Sequence, residues 1–264
     1  MSWLEVVPGE APLIVALPHS GTDLADVEAG FRSPELALWD ADWWVDRLYA
    51  FARDLDVTVV RTAVSRSVVD VNRDPSGTSL YPGQATTGLC PTTTFDGEPL
   101  YAGAVPDEAE IARRTQGWFV PYHAALGGEI ARLKARHERV VLYDAHSIRS
   151  HVPRLFEGEL PLFNIGTFGG VSCSPILSAA VQDICATSGQ SHVLNGRFKG
   201  GWTTRNHGEP GKGVHAIQME LAMRGYLDEA SDWPPVFDPE RAAPMRAVLT
   251  DILRCCIRFA EAFG

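Results

Sequence analysis

The run Val140 to Ser150, VVLYDAHSIRS, constrains the fold more than any other stretch of the chain. It reads as an apolar strand that ends in Asp144, His146 and Arg149. Apolar runs of this kind, bounded by polar residues, are the central strands of mostly parallel sheets, and such sheets carry their chemistry just past the carboxyl ends of their strands. Asp144 and His146 stand two apart, so on a strand they share a face, close enough for a carboxylate to orient an imidazole. A histidine that only caps a helix or bonds within a loop is the competing reading. A second apolar run, Leu13 to Leu17, leads directly into Pro18, His19, Ser20 and Gly21. Two histidines therefore fall where two strands of one sheet end, a common way to assemble a metal site in an α/β hydrolase.

The rest of the chain fits that frame. Val57 to Arg61, Leu162 to Ile165 and Val193 to Asn195 read as strands, and Cys173 to Ser188, Pro106 to Lys134 and Pro244 to Phe263 read as helices. Gly117, Pro121 and the Gly127-Gly128 pair predict a kink or break in the second of these helices. The segment from Phe31 to Asp56 reads as a loop feeding a helix, on which Asp42 and Asp46 would lie one turn apart. Two carboxylates so placed fit a cation or an arginine between them, and equally fit an ordinary solvated face beside Arg47 and Arg53.

Residues 65 to 106 form a long stretch rich in glycine, threonine and proline, with Tyr81, Leu89, Phe95, Leu100 and Tyr101 as anchors. It is expected to be an ordered lid or pocket wall. Arg66 and Arg73 within it offer rigid forks suited to a carboxylate, with Asn72 as an uncharged donor. Residues 196 to 208 are basic inside an acidic protein and are a candidate anion-binding loop. Gly213 to Leu221 alternates as a strand that delivers Glu220 into apolar surroundings, where desolvation raises a carboxyl group toward the range of a general base. A salt bridge from Glu220 to Arg224 is the alternative.

With 264 residues the chain is read as a single domain spanning 1–264. A net charge of -10 argues against nucleic acid or an anionic membrane surface as a partner, while local arginines still allow a small anionic substrate. The five cysteines, at 90, 173, 185, 255 and 256, show no CxxC spacing. Neither a signal peptide nor a membrane-spanning run is visible, so a cytoplasmic protein is expected. HExxH, GxSxG, P-loop and GxGxxG patterns are absent.

The motifs PHSG (18–21), DADWWVDRLY (40–49), VVDVNRDPSG (68–77), LYPGQATTGLCPTTTFDG (80–97), DAHSIRS (144–150) and the run from Asn195 to Glu229 resemble the N-formylglutamate amidohydrolase family, whose deformylases act in histidine degradation. The resemblance implies an α/β three-layer sandwich around a mostly parallel or mixed sheet, like that of zinc-dependent exopeptidases. It implies one divalent metal, Zn²⁺ first and Co²⁺ or Mn²⁺ as alternatives, held by His19, Asp42 and His146. Asp46, Asp144 and Asp23 are alternative ligands or supports of a ligand. Glu220 would be the catalytic carboxylate, with His207 as an oxyanion donor or loop-orienting residue. Arg66, Asn72, Arg73, Arg149 and Arg205 would bind the substrate, and Trp43 or Trp202 would close the small acyl pocket. The implied reaction is hydrolysis of N-formyl-L-glutamate to formate and L-glutamate, the last step of a histidine degradation route. An amidase for another N-acylated acidic amino acid or small peptide, and a non-catalytic binder of acidic metabolites, are the alternatives. The assembly is expected to be a monomer or small homo-oligomer.

Overall fold

The computed structural model describes residues 3–231 and 233–262. Its centre is a seven-stranded mixed sheet of order β1-β3-β2-β4-β7-β5-β6. These strands are β1 (Leu4–Val7), β2 (Leu13–Leu17), β3 (Thr58–Thr62), β4 (Val140–Ile148), β5 (Phe163–Gly166), β6 (His192–Leu194) and β7 (Val214–Ala222). The four central strands, β3, β2, β4 and β7, run parallel to one another. β1 pairs antiparallel to β3 at one edge, and β5 pairs antiparallel to β7 toward the other. Every residue of β2, β4 and β7 is buried, as in central strands covered on both faces, including the polar residues that β4 and β7 carry toward their ends.

Alternation along the strands divides the core into two layers. Val15, Tyr143, Ile217 and Met219 face α5 (Pro175–Thr187) and α7 (Pro239–Glu261), whose Val181, Leu249 and Ile252 pack with them. Ile14, Ala16, Leu142 and Ala216 face α4 (Val120–Lys134), with its Tyr122, Leu126 and Leu133. Asp144 and His146 continue the parity of Leu142, and Gln218 and Glu220 that of Ala216. All four therefore lie on the α4 side at the carboxyl end of the sheet.

Two helices differ in their bounds from the sequence reading, and the kink expected at Gly117 and Pro121 is present. The helix expected before Asp56 is replaced by α1 (Pro34–Ala37), α2 (Val45–Leu48) and a 3₁₀ segment, Ala50–Leu55. The backbone N–H of Asp42 donates to the carbonyl of His19 at 3.0 Å, and Trp44 sits in the left-handed region at φ 60°, so the chain is drawn to the sheet edge. α3 (Glu108–Arg114) runs into α4 through a π-helical turn, Thr115–Phe119, just before Pro121, which has no N–H to give to a helical ladder. The last helix starts at Pro239, capped by the Asp238 carboxylate, and contains Pro244; Phe263 lies outside the described residues. No helix among the described residues is long and apolar enough to cross a membrane.

Candidate active site

Parallel pairing of β4 with β7 sets Asp144 beside Gln218 and His146 beside Glu220. His19 arrives from the turn after β2, next to β4. Asp42 closes the group: its Oδ2 lies 3.2 Å from His146 Nδ1 and 3.7 Å from His19 Nδ1, and the two Nδ1 atoms are 3.1 Å apart. All three side chains are buried.

The opposite nitrogen of each ring meets a carboxylate. His19 Nε2 lies 2.7 Å from Asp70 Oδ1, and His146 Nε2 lies 3.1 Å from Asp144 Oδ2. The contact with Asp70 places the ring hydrogen of His19 on Nε2 and turns its Nδ1 lone pair toward His146 and Asp42. Burial and the positive Arg66 lower the pKa of His19, so it is neutral. Burial also opposes charge on His146, but Asp144 and Asp42 overcome it and hold the imidazolium well above its usual range. The triad thus keeps one proton between two rings and a carboxylate, a place that a divalent cation takes when ligands deprotonate. The donor set fits such an ion. Tetrahedral zinc with nitrogen and oxygen ligands at ~2.0–2.1 Å has ligand–ligand edges of about 3.3 Å, close to the separations between these atoms. One donor atom from each of His19, Asp42 and His146 lies within 4.8 Å of the others, so the three could hold a metal ion.

Asp70 was not singled out in the sequence, yet it is the hub of this corner. It is fully buried and also accepts from Arg66 Nη2 at 2.8 Å and from the Asn72 backbone at 3.0 Å. Burial raises its pKa, but Arg73, His19 and Arg66 outweigh that and hold the carboxyl well below the usual range. The one signal available was a lone aspartate between valines in VVDVN, a carboxylate that burial requires to be paired.

Asn72 is clamped in turn. Its Oδ1 accepts from Thr203 N–H at 2.8 Å, while its Nδ2 lies 2.9 Å from His146 Nε2 and 3.2 Å from Asp144 Oδ2. Gly201 backs this amide so closely that a Cβ there would fall 2.4 Å from Asn72 Nδ2. Gly201 N–H donates to Gln218 Oε1 at 2.7 Å, and Gln218 Nε2 donates to Glu220 Oε2 at 3.3 Å. Gln218 thereby fixes the Glu220 carboxyl, whose pKa burial lifts to about 8. Arg224 bonds Glu159 and Ser150 rather than Glu220.

One pocket joins these groups. His19, His146, Glu220 and Gln218 form its floor, and Arg66, Asn72, Arg73 and Arg197 line it together with Tyr81, Thr86, Thr87, Phe95, Ile148, Leu155 and Phe198. Residues 81 to 95 are thus an ordered pocket wall. Arg66 bonds Asp42 and Asp70 and lies 4.7 Å over the Phe95 ring. Arg73 holds Thr87 through Nε and Nη2.

Other expected residues stand elsewhere. Arg149 pairs with Asp40 and Asp96, and Asp40 in turn accepts from Phe95 N–H, so Arg149 braces the wall from outside. Arg205 donates to Gly200 O and stacks on Phe168 and Tyr81. Neither lines the pocket. Asp46 pairs with Arg61 at the surface, one residue into α2, and does not share a helix face with Asp42. Asp23 is exposed and accepts from Ala25 N–H. His207 ends α6 (Trp202–His207) and stacks on His123, their rings 5.3 Å apart, away from the pocket lining. Trp43 packs in the α7-side core and Trp202 against the α4-side core, and neither lines the pocket, whereas Phe95, Ile148 and Phe198 do.

The fold is a mixed α/β sandwich with the candidate site at the carboxyl edge of its parallel strands. The structure is similar to N-formylglutamate amidohydrolase from Ralstonia eutropha JMP134, with a TM-score of 0.83 at 23% identity and 100% of each chain covered. It is also similar to gene product Atu2144 from Agrobacterium tumefaciens, with a TM-score of 0.70 at 18% identity over 99% of this chain and 97% of that one.

Residues 11–227 match the profile of the family described as N-formylglutamate amidohydrolase, and the chain belongs to that family. It is 45% identical over 252 residues to N-formylglutamate deformylase of Pseudomonas putida, covering 94% of this chain and 93% of that protein. It is 47% identical over 256 residues to the N-formylglutamate deformylase of Pseudomonas aeruginosa PAO1, covering 96% and 95% respectively.

Proposed function

We propose that the chain is a metal-dependent deformylase that hydrolyses N-formyl-L-glutamate to formate and L-glutamate, closing a histidine degradation route, with residues 1–264 acting as one catalytic unit. The observation that carries the reading is the buried convergence of His19 Nδ1, His146 Nδ1 and Asp42 Oδ2 on one point beside Glu220, in a pocket with three arginines. Full-length likeness to two proteins named N-formylglutamate deformylase supports the substrate.

His19, Asp42 and His146 hold the cation, for which Zn²⁺ fits best and Co²⁺ or Mn²⁺ also suit mixed nitrogen and oxygen ligands. When bound, it supplies a Lewis acid and a water of lowered pKa. Glu220 takes the proton of the attacking water and hands it to the leaving nitrogen. A carboxyl whose pKa lies near the working pH suits both halves of that transfer. Gln218 keeps Glu220 at the strand end, and Asp70 and Asp144 keep the two imidazoles turned. Arg73, beside Asn72 and the triad, takes the substrate's α-carboxylate. Arg66, already shared between Asp42 and Asp70, contributes positive potential to the developing oxyanion rather than a free fork. Phe95, Ile148 and Phe198 leave little room for an acyl group larger than formyl.

Formate release from N-formyl-L-glutamate, beside N-acetyl-L-glutamate and a chelated sample, tests the reading. Formyl-selective and chelator-sensitive turnover is expected. Equal rates on the acetyl substrate would favour a broader amidase, and no turnover by metal-loaded protein would remove the proposal.

A further inference from the structure

Arg197 differs from the other arginines of the pocket in what neutralises it. Arg66 is paired with Asp42 and Asp70, and Arg73 lies 3.6 Å from Asp70. Arg197 makes no ion pair among the described residues. Its Nε donates to Leu155 O at 2.7 Å and its Nη2 to Ala85 O at 2.8 Å, which fixes the plane of the guanidinium. The rings of Tyr81 and Phe198 lie 5.2 and 5.4 Å from its centre. Nη1 has no hydrogen-bond partner among the described residues, and burial, with the charge of Arg73, lowers the pKa of Arg197 against the pull of Tyr81 and Glu220. A fixed, partly desolvated cation without a counter-ion in a pocket wall is a receptor for an anion brought in by the ligand.

Its position says which anion. Arg73 neighbours Asn72, which touches His146, so Arg73 stands at the reacting end of the pocket. Arg197 is held by the carbonyls of Ala85 and Leu155, in a part of the wall that supplies none of the hydrogen bonds to His19, Asp42 or His146. In an N-formyl dicarboxylic amino acid, one carboxylate is on the carbon that bears the scissile nitrogen and the other lies at the end of the side chain. We infer that Arg197 receives the side-chain carboxylate and so sets the preference for an acidic amino acid, an inference that rests on the deformylase reading above.

Because Arg197 also ties two loops together, loss of activity alone does not test this. The informative quantity is the ratio of kcat/KM for N-formyl-L-glutamate over N-formyl-L-glutamine, which differ only in the terminal group, a carboxylate in one and a neutral carboxamide of the same shape in the other. Wild type is expected to prefer the glutamate compound strongly. R197Q is expected to shrink that ratio about 10- to 100-fold, the scale of one lost hydrogen bond to a charged group, mainly through KM for the glutamate compound. R197K should restore part of it, and R205Q, whose residue stacks on the same Tyr81 ring, should leave the ratio unchanged. A ratio unaltered in R197Q, or equal losses on both substrates, overturns the inference. If wild type releases formate from neither compound, the reaction has failed and calorimetric titration with L-glutamate and L-glutamine decides the subsite. Tighter binding of L-glutamate that disappears in R197Q sustains it, and equal binding of the two by wild type overturns it.

Discussion

Asp70→Asn is the most informative single change at the metal corner, because it keeps the shape of the side chain and removes its charge. Asp70 accepts three hydrogen bonds, from His19 Nε2, Arg66 Nη2 and the Asn72 backbone. An asparagine has one acceptor oxygen. If it faces His19, the amide N–H₂ faces the Arg66 guanidinium, donor against donor; if it flips, the His19 ring loses its orienting partner. Breaking a buried pair costs about 3–5 kcal/mol when the remaining charge is left alone. Arg66 keeps Asp42 at 3.3 Å, so the metal-free protein should lose less, about 2–3 kcal/mol in urea unfolding. Removing the partner of a ligating imidazole typically weakens metal binding by roughly 10–100-fold. Competition against a chromophoric chelator measures that affinity directly, on protein shown by circular dichroism to be folded. A metal affinity within about twofold of wild type would refute the claim that Asp70 orients His19 as a ligand.

Glu220→Gln should leave metal content unchanged while lowering kcat by roughly 10²–10⁴, and a variant retaining a tenth of wild-type kcat would exclude Glu220 as the proton carrier. Acid should destabilise the fold between about pH 6.5 and 4, because burial lowers the pKa values of His123 and His215 to about 4 each. In that window the unfolded chain binds protons that the folded one refuses, so stability falls as pH falls. Replacing His215 by phenylalanine, beside the edge-on Phe259 ring, should flatten the slope of unfolding free energy against pH over this range; an unchanged slope would show that His215 does not contribute.

The features most legible in the sequence were those written as periodicity. Apolar runs marked β2 and β4, and the two-residue spacing on β4 put Asp144 and His146 on one face. Alternation on β7 likewise placed Glu220 at the strand end. What escaped was set by the packing of loops, which has no period. Asp70 and Gln218 matter through partners 51 and 17 residues away, and Arg197, inside the basic run read as an anion-binding loop, is positioned by a partner 112 residues away; no local pattern encodes those distances. The segment around Asp42 looked helical from its apolar spacing, but the bond from its backbone to His19 and the left-handed Trp44 outweighed that propensity. Arg149 and Arg205 were plausible anion binders by type, and their guanidinium groups bond carboxylates and carbonyls of the wall instead.

The wide separation of the triad along the chain also bears on how the protein matures. His19 and His146 are 127 residues apart, and Asp42 and His146 are 104 apart. Contacts at such separation form only after large loops have closed, late in folding and slowly. On the proposed metal-dependent reading, the nascent chain has no local cluster for an ion to seize, and the ion would not nucleate the fold as it does in a small zinc finger. Cation capture is expected to follow assembly of β2 against β4, which makes the apo fold the species that selects its metal.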